Sequence, residues 1–214
     1  MDNKRGRIVV VAGTNGAGKS SIVGEFMAEK NLAYFNPDLL ARELVKADKP
    51  ADDANGLAWR FGYESLRRAG DRGENFAFET TLGGQSIIAE LHRAVRLRRE
   101  VDVIYVGLSS VDLHIARVKA RVARGGHDVP TSKIRERYSK SLTNLVTLIG
   151  KASTVHVLDN STETPDGVPT AMTVFRMHGK RIVEPSLSNL MVTCPEWAKP
   201  LAAAAIRAAR PRRA

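Results

Sequence analysis

A chain of 214 residues with 43% hydrophobic and 26% charged residues suits one α/β domain with a full core, or one domain with an appendage. No apolar run reaches the roughly 18 residues that a membrane span needs, and Met1-Asp2-Asn3-Lys4-Arg5 runs directly into an apolar segment, with no signal-peptide pattern. The single Cys194 excludes an internal disulfide and a cysteine-rich metal site, so a cytoplasmic protein is expected, without a membrane partner.

In chain order, Arg7–Ala12 is a short β-branched run that predicts a buried first strand over 7–12. It is followed by Gly13-Thr14-Asn15-Gly16-Ala17-Gly18-Lys19-Ser20, a full match to G-x-x-x-x-G-K-[ST]. A helix is predicted over 18–30 from Ile22, Val23, Phe26 and Met27. Strand, glycine loop and helix together define a phosphate-binding loop, in which inward N–H groups and the helix dipole hold phosphate oxygens. Gly13 to Ser21 would bind ATP, with Lys19 on the β- and γ-phosphates and the Ser20 hydroxyl on Mg²⁺.

A second strand is expected at 33–36 and a helix at 38–47, joined by Asn36-Pro37-Asp38. Two roles are open there: a helix cap, or Asp38 as the general base for an acceptor hydroxyl. A helix at 57–69 precedes a third strand at 76–80, and Glu79-Thr80-Thr81 stands at its carboxyl end, where parallel sheets bind ligands. A carboxylate there should face a polar cleft, binding the acceptor or supporting Mg²⁺. Leu82-Gly83-Gly84-Gln85-Ser86 is one residue short of a transporter-ATPase signature, and lacks the Asp-Glu strand that should follow; it reads as a turn before a helix at 86–99.

After a fourth strand at 102–108, Ser109-x-x-Asp112 signals the cap of a helix at 110–124. Arg117, Arg121 and Arg124 fall about a third of a turn from its apolar face, ending at Gly125-Gly126. A mobile arginine stripe beside a glycine hinge fits a lid, about 110–130, that closes on a transferring phosphoryl group. Arg135 and Arg137, in a helix at 132–150, could join it. A fifth strand is expected at 154–158, then a turn-rich connection over 160–169. Thr173–Met177 and Arg181–Val183 flank a turn as a terminal hairpin, and 199–210 reads as a last helix. The alternation predicts an α/β fold of the phosphate-loop NTPase type: a mostly parallel sheet flanked by helices, with a kinase core at 1–160 and an extension at 161–214 packed on it.

Together, Gly13–Ser21, Asn36-Pro37-Asp38, Phe78-Glu79-Thr80-Thr81 and the segment Arg117–Pro130 resemble the zeta-toxin family of small phosphate-loop kinases. The resemblance implies an adenylate-kinase-like fold and ATP- and Mg²⁺-dependent phosphorylation of a sugar hydroxyl, UDP-N-acetylglucosamine being the best-known acceptor. Carried over, Lys19 would grip ATP, Asp38 would be the base, Glu79 and Thr81 would contact the acceptor, and the lid arginines would stabilise transfer. A separate antitoxin protein is the implied partner. The competing readings are a small-metabolite or polynucleotide kinase, or an ATP-switched nucleic-acid-binding protein. The net charge of +10 favours the last, but no nucleic-acid motif accompanies it.

Overall fold

The computed structural model describes residues 6–22, 34–164 and 169–210. Strand β1 (Arg7–Ala12) occupies the centre of the sheet, and every residue after Arg7 in it is buried. Burial on both faces is why this run is continuously apolar rather than alternating. Its neighbours are β3 (Phe76–Thr80) and β4 (Glu100–Gly107), with β2 (Tyr34–Phe35) outside β3 and β5 (Thr154–Glu163) outside β4, all parallel. Strands β6 (Pro169–His178) and β7 (Arg181–Glu184) continue the sheet antiparallel, giving the order β2-β3-β1-β4-β5-β6-β7.

The helices are α1 (Pro37–Lys46), α2 (Ala51–Arg72), α3 (Gln85–Arg96), α4 (Val111–Ala123), α5 (Thr131–Leu148), α6 (Leu187–Thr193) and α7 (Lys199–Ala209). Residues 19–22 are helical, and the rest of the helix expected over 18–30 lies outside the described residues. Helix α2 starts six residues before the expected 57. Asn55-Gly56 reads as a breaker in sequence, yet Ala54 and Ala58 are buried against the fold and hold the helix through it. Gly62 lets the same helix approach Phe35, whose ring a Cβ would meet at 2.6 Å.

Residues 160–163 belong to β5 rather than to a turn, because Thr162 and Glu163 pair with Thr170 and Pro169 of β6. The sheet is therefore continuous through residue 160. Phe175, Met177, Leu190, Trp197 and Leu201 enter the same buried cluster as Ile8, Phe78 and Leu145. Trp197 fills the space over Gly107, where a Cβ would lie 2.2 Å from the indole ring. Among the described residues no helix is long and apolar enough to cross a membrane.

Candidate active site

The phosphate loop leaves the carboxyl end of β1 with Gly13, Gly16 and Gly18 at φ of 144°, 86° and 86°. Side chains rarely adopt such angles, and the loop is also closely packed. A Cβ on Gly13 would strike the Val106 carbonyl, one on Gly16 the His114 carbonyl, and one on Gly18 the Asn160 amide. Asn160 Nδ2 donates to the Ala17 carbonyl at 2.8 Å. His114 Nδ1 meets the Asn15 carbonyl at 2.9 Å, so the imidazole donates from that nitrogen. Burial pushes the His114 pKa down to about 4, against the raising effect of the hydrogen bond to Asn15, so the ring is neutral. These contacts hold the loop against β4, α4 and β5.

Glu79 is the hub of the site. Its Oε2 accepts from Ser20 Oγ at 3.0 Å, Tyr34 OH at 2.7 Å and Asn36 Nδ2 at 3.1 Å, while Lys19 Nζ lies 3.3 Å from Oε1. Burial alone would raise the Glu79 pKa; the Lys19 ammonium and the hydrogen bonds from Tyr34 and Ser20 outweigh it and hold the group below the usual carboxylate range. Burial and the Glu79 charge raise the Tyr34 phenol, which stays protonated and donating. Asn36 works at both ends: its amide holds Glu79, and its Oδ1 accepts from Asp38 N at 2.9 Å to cap α1. The capping role read from sequence for Asn36 is present, and it also locates Asp38 relative to Lys19.

Asp38, Lys19, Glu79, Thr80 and Thr81 all line one cavity of about 550 Å³. Thr80 has its hydroxyl committed to the turn, accepting from Leu82 N at 3.0 Å, where Leu82 takes a positive φ of 55°. Thr14 and Ala17 are buried in the loop itself, Ser20 and Ser21 are exposed, and Asn15 borders the cavity. None of Arg117, Arg121 and Arg124 lines it. Arg117 pairs with Glu163 at 3.1 Å, Arg121 donates to the His127 carbonyl at 2.8 Å, and Arg124 donates to the Ala120 carbonyl at 3.2 Å. The cap of α4 is Ser110, which accepts from Leu113 N at 3.2 Å, rather than Ser109. The helix begins at Val111, one residue later than the expected boundary, and the cap moves with it.

The arginine that does reach the cavity is Arg137 of α5, whose guanidinium donates to Asn15 Oδ1 at 2.9 Å. Lys133, Glu136 and Lys140 lie on the same face at helical spacing, and both lysines pair with Glu136. Opposite stand Asn55, Trp59 and Tyr63 of α2. Sequence reading missed these wall residues; their only signal was spacing of i, i+4 and i+8 on one helix face. Asn144 fixes α5 in place, donating to the Leu82 carbonyl at 2.7 Å.

A phosphate loop at the end of the central strand, in a sheet ordered β2-β3-β1-β4-β5 and flanked by helices, is the architecture of the phosphate-loop kinases. The family model described as Zeta toxin matches residues 1–166, and the chain belongs to that family. An uncharacterized protein of Haemophilus influenzae is 30% identical over 138 residues, which cover 64% of this chain and 94% of that protein. Among solved structures, a chain of the AvrRxo1-ORF1:-ORF2 structure with ATP superposes with a TM-score of 0.62 at 15% identity, covering 91% of this chain and 65% of its own. A chain of the Pnkp1/Rnl/Hen1 RNA repair complex gives 0.52 at 16% identity, covering 67% of this chain and 47% of its own. This chain thus spans less than two thirds of either structure's chain, and the likeness is one of fold.

Proposed function

We propose that this protein transfers the γ-phosphoryl group of ATP to a hydroxyl of a nucleotide sugar such as UDP-N-acetylglucosamine. The observation that carries the reading is the convergence of Lys19, Asp38 and Glu79 on one cavity, with Glu79 joining the phosphate loop to the cap of α1. ATP phosphates fit the N–H cradle over residues 14–18, and Lys19 meets the β- and γ-oxygens. Asp38 orients the acceptor hydroxyl and takes its proton as the oxygen bonds to the γ-phosphorus and the bond to the bridging oxygen of ADP breaks. Thr81 and Glu79, which line the cavity beside Asp38, bound the acceptor. Arg137 is placed to neutralise the equatorial oxygens, in exchange for its bond to Asn15. Arg124, exposed beside Gly125 at a φ of 83°, joins it when the turn closes.

The residues fit Mg²⁺. Ser20 gives its hydrogen to Glu79, which turns the hydroxyl lone pairs outward, and a hydroxyl beside a carboxylate is the hard oxygen set this ion prefers. Ser20 would hold it, with Glu79 orienting the hydroxyl, and the ion would supply charge neutralisation on the phosphate oxygens. As a member of the Zeta toxin family, the chain is proposed to act as a toxin countered by a separate antitoxin protein. The two-component composition of the AvrRxo1-ORF1:-ORF2 structure supports that pairing.

The test is ADP release from ATP and Mg²⁺ in the presence of UDP-N-acetylglucosamine, ADP-ribose, simple sugars or RNA ends, one at a time. Stimulation by the nucleotide sugar alone is expected. Stimulation by RNA ends alone would replace this acceptor with a polynucleotide.

A further inference from the structure

Beyond the residues assigned to transfer, the cavity is also lined by helix α2. Helix α2 buries Ala54, Leu66 and Ala69 against the fold and lines the cavity with Asn55, Trp59 and Tyr63, over the small Ala58 and Gly62. Trp59 is 50% exposed, although an indole offers more apolar area for burial than most side chains. It is also held in place. The Trp59 and Tyr63 rings stack at 5.2 Å between centroids and 7° between planes. The Tyr63 hydroxyl donates to Glu90 at 3.5 Å, and Arg93 donates to the other Glu90 oxygen at 2.7 Å. One turn earlier, the side chain of Asn55 is exposed and has no hydrogen-bond partner among the described residues. A fixed aromatic face beside an unengaged amide is a surface for a flat ring with polar edges.

The donor's own base is better placed elsewhere. The middle of the phosphate loop is bordered by His114 of α4 and Asn160 of β5, and neither lines the cavity that carries Trp59. At the cavity that carries Trp59 the loop presents Asn15 and Lys19, and Lys19 is the residue that would meet the γ-phosphate.

We infer that Trp59, backed by Tyr63 and flanked by Asn55, is the subsite for a ring of the acceptor, a nucleobase or a pyranose, lying flat on the indole while the hydroxyl to be phosphorylated stands at Asp38. The inference rests on the phosphotransferase reading above and names the residues that select its acceptor.

Intrinsic fluorescence supplies a readout independent of turnover. The chain has two tryptophans, and Trp197 is only 7% exposed, so acrylamide quenches Trp59 selectively. UDP-N-acetylglucosamine should protect Trp59 from acrylamide. Protection by uridine would assign the ring as the base, and protection by N-acetylglucosamine as the sugar. In transfer assays, Trp59→Ala should raise the acceptor KM roughly five- to hundredfold, as loss of a stacking ring does, and leave the KM for ATP within about twofold. Trp59→Phe, which keeps an aromatic face, should recover most of the loss. An unchanged acceptor KM in Trp59→Ala overturns the inference, and so does a matching rise in the KM for ATP, which would put the donor base on the ring. If wild-type protein transfers phosphate to nothing, the phosphotransferase reading fails by itself, and quenching still decides the subsite. Absence of protection by all three probes overturns it.

Discussion

Helices α4 and α5 are both rich in arginine and lysine and meet at one turn, yet only α5 faces the cavity. The two pack through a shared cluster of Ile115, Val118, Val129 and Ile134. In α4 that apolar stripe leaves Arg117 beside Glu163 and Arg121 beside the His127 carbonyl. In α5 the buried residues Ile134, Leu145 and Leu148 leave Lys133, Arg137 and Lys140 on the cavity. A basic helix serves a phosphate site only when its buried stripe turns the cations toward it.

Substitution separates the two helices. The largest effects belong to the residues that α5 faces across the cavity. Asp38→Asn should lower kcat for phosphoryl transfer by roughly 10²- to 10⁴-fold, the usual range for a general base, and Lys19→Ala by about a thousandfold. Arg137→Ala should follow at about a hundredfold, with ATP binding retained. Arg124→Ala should cost about tenfold, since this residue acts only after closure. Arg117→Ala and Arg121→Ala should leave kcat within about threefold. A steady-state series at saturating ATP orders the six, and an Arg121→Ala loss equal to that of Arg137→Ala would reverse the assignment of the two helices.

A smaller effect concerns the contact of α4 with the phosphate loop. His114 is buried and neutral, with a pKa pushed down to about 4, whereas an unfolded histidine titrates near 6.5. Between those values the unfolded chain binds the extra proton, so stability is complete above about pH 6.5 and falls as pH drops toward 4, by about 3 kcal/mol at most. Denaturant unfolding at several pH values should show that slope in wild-type protein, and His114→Gln should flatten it. An unchanged slope in the variant would mean that other groups govern acid sensitivity.

The phosphate-loop motif was legible in sequence because strand, glycines and lysine lie within one short stretch, whereas its packing against Val106, His114 and Asn160 was not. The site around Glu79 was legible only in part. Asn36 was readable as a cap, but its second bond to Glu79 and the part of Tyr34 depend on β2 pairing with β3, which no local pattern encodes. The α2 wall stayed hidden because Ala54, Ala58 and Gly62 carry its burial, and small residues give a weak apolar period. The polar run Asn160-Ser161-Thr162-Glu163 reads as a turn by composition. It is strand because β6 pairs with it and because Asn160 is buried on the Ala17 carbonyl.

The most direct measurement is transfer of label from γ-labelled ATP to UDP-N-acetylglucosamine with Mg²⁺, run with wild-type, Lys19→Ala and Asp38→Asn proteins. Label is expected on the sugar hydroxyl with wild-type protein and at rates lower by about a hundredfold or more with either variant, while Asp38→Asn still binds ATP. Label transferred equally well by Asp38→Asn, or no transfer to any hydroxyl acceptor by wild-type protein that binds ATP, would contradict the proposed function.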